Sequence, residues 1–253
     1  MKVALLSPAN SIHTIRWANG LSEEGLDIHV ISCHEIDVDN VKYNENVKVH
    51  ILKNKAPLGY FSAKVELKEL LDSLQPDILN AHYATGYGFL ARLSEFHPLL
   101  LSVWGSDVYE FPNKSILHRL FLKKNLKNAD AIASTSHCMA VQTAKTYSHS
   151  KIFVTPFGID DKKFYRFPKH LNNDFLQIGT VKTLSEKYGI DTLIEAFAIS
   201  EKQCIKHGIN IRLSIVGSGE DEYKLKMLSK ELGLQDKITF AGYIANENIP
   251  RVF

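Results

Sequence analysis

"FLQIGTVKTLSEKYGIDTLIEAF", Phe175 to Phe197, falls into three parts: a short apolar run ending near Val181, a turn rich in lysine and hydroxyl groups, and a segment whose apolar residues recur at helical spacing. A strand, a glycine-bounded turn and a helix make one unit of a parallel α/β sheet. Chain reversal at such a turn needs a glycine and a cap. Gly179 to Gly189 instead carries Lys182 and Lys187 with Thr180, Thr183 and Ser185. Two readings stay open: half of a phosphate cradle at a helix N-terminus, or a solvated turn with two surface lysines.

The same unit recurs on both sides. Downstream, Ile211-Arg-Leu-Ser-Ile-Val216 runs into Gly217-Ser-Gly-Glu220 and a helical pattern over 221–232, then a strand at 237–240. Upstream, strand-length runs start at Lys2, Asp27, Lys48, Asp77, Leu99, Ala131 and Ile152, with helical patterns such as 62–74 and 114–127 between them. Several of these runs are apolar on both faces, as strands of a parallel sheet covered on two sides must be. The expectation is α/β with two Rossmann-like doubly wound domains, 1–159 and 175–253, joined by a charged, proline-containing linker at 160–174. Three strands with Ile249–Phe253 reading as a helix just beginning leave the second domain short, so a truncated form or fragment of a longer chain is expected.

Composition narrows the function. A net charge of +2 in 253 residues, with no basic run interleaved with aromatics, argues against a nucleic-acid partner. Three cysteines far apart fit reduced thiols better than a disulfide framework, and eleven histidines form no metal-ligand spacing, so no metal is expected. No segment nears ~18 consecutive apolar residues. A cytoplasmic location is expected. Gly217-x-Gly219 lacks the third small residue of the nicotinamide fingerprint, Glu222 standing there, and no P-loop pattern occurs.

Ligands of open α/β sheets lie beyond the carboxyl ends of the strands, which singles out further residues. Asn10, Ser11 and His13 follow the first strand, Ser11 being also a natural helix cap. His82 ends the strand at 77–81 and is either catalytic or a satisfied interior histidine. Trp104 ends the strand at 99–104 and Asp107 follows it; the carboxylate either orients a substrate hydroxyl or closes an Asx turn.

The strings "ANSIHTIRWANGLSEEG" (9–25), "WGSDVY" (104–109), "TPFGID" (155–160), "IGTVKTLSEKYGIDTLIEAF" (178–197), "LSIVGSGEDEYKLKMLSKELGL" (213–234) and "ITFAGYI" (238–244) resemble glycosyltransferase family 4, most closely its bacterial members that build surface polysaccharides. The resemblance implies a GT-B fold, two Rossmann-like domains facing across a cleft, and metal-independent transfer with retention of anomeric configuration. It implies a UDP- or GDP-linked sugar as donor substrate, no further cofactor, and a glycan or lipid-linked acceptor. It sets the donor diphosphate against Lys182, Thr183, Lys187, Gly217, Ser218 and Gly219, with Gly179 before them; with the acceptor held by the first domain, the strand-end residues Asn10, Ser11, His13, His82 and Trp104 become the candidate acceptor contacts and Asp107 the candidate catalytic carboxylate.

There are departures. The family's usual Gly-Arg pair reads Lys182-Thr183 here, Lys187 keeps the second basic place, and Tyr188 is extra. Trp104 stands where many relatives carry histidine and offers a packing wall for a sugar ring rather than a proton carrier. The acidic Glu-x7-Glu motif that holds the donor sugar in the family is absent up to Phe253. Because acceptors of the family are frequently lipid-linked, weak peripheral contact at the inner membrane face is the remaining partner expectation. The basic, apolar segment Lys114–Lys127 spreads its charges round the helix rather than gathering them on one side, and so gives that contact little support.

Overall fold

The structure, a computed structural model, describes residues 1–36, 42–161, 164–165, 174–245 and 248–252. The chain divides into two compact units, Met1–Gly158 and Ile159–Phe253. Most of the expected linker at 160–174, and Phe253, lie outside the described residues.

The first unit is a seven-stranded parallel sheet of β1 (Lys2–Leu6), β2 (Asp27–Ser32), β3 (Lys48–Ile51), β4 (Ile78–His82), β5 (Leu99–Val103), β6 (Ala131–Ser134) and β7 (Ile152–Val154). Its helices are α1 (Ile12–Glu23), α2 (Gly59–Ser62), α3 (Lys64–Leu74), α4 (Gly86–Ser94), α5 (Ser106–Tyr109), α6 (Ile116–Asn128) and α7 (His137–Thr146). The side chains of β1 alternate between two cores. Ala4 and Leu6 join one cluster with Leu67, Leu79 and Leu101; Val3 and Leu5 join the other with Ala18, Ile28 and Val30. With both faces covered, a fully buried leucine contributes roughly 1.5–3 kcal/mol on either side. The apolar runs of the sequence have this physical cause.

Strand order is β3-β2-β1-β4-β5-β6-β7. The order reverses between β1 and β4, which pair in register from Val3↔Ile78 to Leu6↔Ala81. Crossovers leave β1 and β4 toward opposite faces, so the loops beyond their carboxyl ends part and open a crevice there.

The second unit is a three-stranded parallel sheet, order β10-β9-β8, of β8 (Leu176–Val181), β9 (Ile211–Val216) and β10 (Ile238–Gly242). α8 (Ile190–Lys206) and α9 (Glu222–Glu231) carry the crossovers. Ile194, Phe197, Leu213, Ile215 and Leu225 form its core. The expected helix from Ile249 is a single 3-10 turn, Ile249–Arg251.

Candidate functional site

At the switch point of the first unit, Ser7 follows β1 and His82 closes β4. Both are buried, at 0% and 1% exposure. A polar chain joins them: Thr14 Oγ1 lies 2.6 Å from Ser7 Oγ, Ser7 Oγ 3.1 Å from His82 Nδ1, and His82 Nε2 2.8 Å from Asn80 Oδ1. The Asn80 amide nitrogen donates to Leu100 O and Ser102 Oγ, so its oxygen faces the ring and His82 must carry its proton on Nε2. Ser7 then donates to Nδ1 and accepts from Thr14. His82 is therefore a satisfied interior residue. Contrary to the expectation of an acceptor contact, neither nitrogen is free for a ligand.

Burial, with the nearby His13 as the lesser cause, pushes the His82 pKa down to about 3. The unfolded chain, with an ordinary histidine near 6.5, binds more protons than the folded one between these values, so stability falls as pH drops from about 6.5 toward 3. His82→Gln is expected to flatten that slope. Denaturant titration at a series of pH values checks it, and an unchanged slope would mean that His82 is not the group responsible.

His13 behaves differently. Its ring stacks on Phe157 at 4.1 Å and meets the edge of Trp104 at 5.4 Å, and Trp104 in turn touches His82 at 5.0 Å. His13 Nδ1 is enclosed without a hydrogen-bond partner among the described residues. Burial first, then the Arg16 charge, lowers its pKa below the ordinary histidine value. A hollow of about 310 Å³ opens beside His13, Arg16, Trp17 and Phe157. Ser11 occupies the cap position of α1 without a side-chain cap bond, and Asn10 is exposed. The structure thus brings His13, His82 and Trp104 together and leaves Asn10 and Ser11 at the helix entrance.

Asp107 is 0% exposed. Its carboxylate accepts from Ala84 N–H at 2.8 Å, Gly105 N–H at 2.8 Å and Trp104 N–H at 3.1 Å, tying the turn after β4 to the turn after β5. Burial holds its carboxyl above the ordinary range while the backbone donors pull it back down. The expected catalytic carboxylate is instead a loop clamp, because both oxygens are turned inward and occupied. Beside this clamp, Tyr60, Phe61, Phe89, Phe111, Leu117 and Phe121 line an apolar groove of about 410 Å³.

In the second unit the turns after β8 and β9 interlock. Lys182 N–H donates to Val216 O, Leu184 N–H to Ser218 O, and Asp221 N–H to Leu184 O. A Cβ at Gly217 would stand 2.0 Å from Lys182 O, and one at Gly219 would stand 2.1 Å from Leu184 O. Gly217 (φ +137) needs glycine for conformation and space, Gly219 for space alone. Gly179, expected to admit a ligand, lies inside β8 opposite Ser214, where a Cβ would be in ordinary contact at 3.9 Å. The turn proper begins at Lys182.

Thr183, Ser185, Glu186, Lys187, Tyr188 and Glu220 line a hollow of about 590 Å³. Lys187 of this lining is exposed, as are Lys182, whose ammonium lies against the Tyr188 ring, and Ser218 in the turn after β9. Gly189, left-handed at φ 63, opens α8 with no side-chain cap bond. Composition pointed to the lysines and hydroxyls but missed Leu184, the 0% exposed residue that pins the two turns. Its signal was there: one apolar side chain in an otherwise polar turn. Phe157 and Asn80, which hold His13 and His82, carried no comparable mark.

The family pattern described as "Glycosyl transferase 4-like" matches residues 2–136, and "Glycosyl transferases group 1" matches 161–253. The chain is 23% identical over 219 residues to the mannosylfructose-phosphate synthase of Agrobacterium fabrum, covering 72% of this chain and 47% of that one. It is 26% identical over 202 residues to the amylovoran biosynthesis glycosyltransferase AmsK of Erwinia amylovora, covering 76% and 48%. The crystal structure of Anabaena HepE in complex with UDP superimposes with a TM-score of 0.78 at 16% identity, over 100% of this chain and 71% of that one. The fold is therefore GT-B. The chain spans about half the length of these two curated relatives.

Proposed function

The chain belongs to the glycosyl transferase 4-like family, and from that premise we propose that it serves a retaining, metal-independent transfer of sugar from a UDP- or GDP-linked donor to a glycan or lipid-linked acceptor. The observation that carries the reading is the interlocked pair of glycine turns with two exposed ammonium groups before the start of α8. Diphosphate bound there would meet Lys182 and Lys187, the first turn of α8 being already served by the Asp191 carboxylate, which accepts the Thr192 N–H. These charges would stabilise the leaving diphosphate in the role a divalent cation plays elsewhere. Thr183 and Ser185 would donate to its oxygens. Glu186 and Glu220, acceptors on the same wall, would take hydroxyls of the ribose or sugar rather than phosphate.

On the acceptor side, the edge of Trp104 and the His13 ring form the wall against which a sugar would pack. The aromatic groove begins at Thr85 and Gly86, directly after β4, and takes Leu117, His118 and Phe121 from α6. Its apolar lining would suit the apolar part of a lipid-linked acceptor.

Isothermal calorimetry with UDP-, GDP- and ADP-sugars tests the donor half. One of these sugars is expected to bind, and Lys182→Ala or Lys187→Ala to weaken it about tenfold, the worth of one charge-assisted hydrogen bond. Unchanged affinity in both variants, or a preference for NAD, would overturn the reading. Incorporation of labelled sugar into an acceptor then separates transfer from binding alone.

A further inference from the structure

Lys182 and Lys187 bring their ammonium nitrogens to one aromatic ring: Nζ lies 4.4 Å and 5.1 Å from the centroid of Tyr188. Two like charges near one point repel, and long side chains on an exposed turn would otherwise spread into water. The π electrons of the ring attract each of them. Neither ammonium has a carboxylate partner among the described residues, although Glu186 is adjacent in sequence, so both charges stay available.

We propose that Tyr188 is a positioning residue for the donor diphosphate, its ring gathering the two ammonium groups into one convergent pair before the anion arrives. A guanidinium presents two donors in a fixed fork; two lysines have no such shape of their own and borrow it from the ring. The backbone that carries the ring is itself held. Tyr188 N–H donates to Ser185 O at 3.0 Å, Gly189 N–H donates to Glu186 O at 3.1 Å, and Gly189 turns the chain into α8 in the left-handed conformation. Lys182 is anchored at its backbone by Val216 O, so its contact with the ring spans the turn. Gathering the charges beforehand removes ordering that the ligand would otherwise have to impose.

The inference rests on the donor-turn reading above and adds a residue that composition gave no reason to select. Its test is calorimetry on the full chain with inorganic pyrophosphate and with UDP, comparing the unsubstituted protein, Tyr188→Phe, Tyr188→Leu, Lys182→Met and the double variant Lys182→Met/Tyr188→Leu. Tyr188→Leu is expected to weaken pyrophosphate about fivefold, and Tyr188→Phe, which keeps the ring, less than about twofold. In the Lys182→Met background the Tyr188→Leu effect is expected to shrink markedly, because the ring acts through that lysine. Equal binding by Tyr188→Leu and the unsubstituted chain, equal losses in the Phe and Leu variants, or the same loss in both backgrounds would each overturn the positioning role while leaving the donor turn standing. An unsubstituted chain that binds neither pyrophosphate nor UDP would remove the donor turn and this role together.

Discussion

Gly219→Ala is expected to lower the thermal midpoint of the second unit by about 10 °C and to abolish nucleotide-sugar binding. The added methyl would stand 2.1 Å from the carbonyl oxygen of Leu184 and 2.6 Å from its carbon, backbone atoms that no rotamer change can clear. Either the turn after β8 or the turn after β9 must shift. The shift breaks the bonds from Leu184 N–H to Ser218 O and from Asp221 N–H to Leu184 O. Overpacking of this kind costs about 2 kcal/mol or more. Gly208→Ala is the matched control: φ is +70 and a Cβ there has open space, so only backbone strain of about 1 kcal/mol is at stake and binding should survive. Thermal unfolding with hydrogen exchange of the β8 and β9 amides reads both. A Gly219→Ala chain that melts and binds like its parent would show that the two turns are not locked to each other.

Asp107→Asn is expected to destabilise the first unit by about 3 kcal/mol, far more than a change of one atom would suggest. The carboxylate presents only acceptors to three backbone N–H groups, whereas an amide keeps one acceptor and turns two donors toward donors. Each buried N–H left without a partner costs about 1–3 kcal/mol. The midpoint of denaturant unfolding, at unchanged slope, measures the loss. A carboxylate that served only the reaction would show the opposite pattern, turnover lost with the midpoint unmoved, and that result would restore the catalytic reading of Asp107.

Much of the fold was legible because strands such as β1 present apolar side chains to both faces, each of which is covered. The strand from Leu176 to Val181, exposed along most of its length, was legible instead from its place before a glycine-bounded turn, and the helix after Gly189 from its 3.6-residue apolar spacing. Gly179 was misread because a glycine before two lysines looks like the opening of a turn. Its pairing with Ser214 across β8 and β9 is long-range information that the local string does not contain. Asp107 and His82 failed in a related way. Whether a polar side chain at a strand end faces ligand or interior depends on which partners arrive from elsewhere. Here these are the N–H of Ala84, 23 residues from Asp107, and the hydroxyl of Ser7, 75 residues from His82. Residue type supplied the candidates, and tertiary contacts decided their roles.

The locked tautomer of His82 has a further consequence for the ledge between β1 and β4. An imidazole wedged between an amide oxygen and a hydroxyl insulates rather than conducts, and the clamp at Asp107 is equally closed to traffic. Of the three ionisable groups placed there, His13 alone keeps a nitrogen without a hydrogen-bond partner among the described residues, and its burial favours the neutral ring.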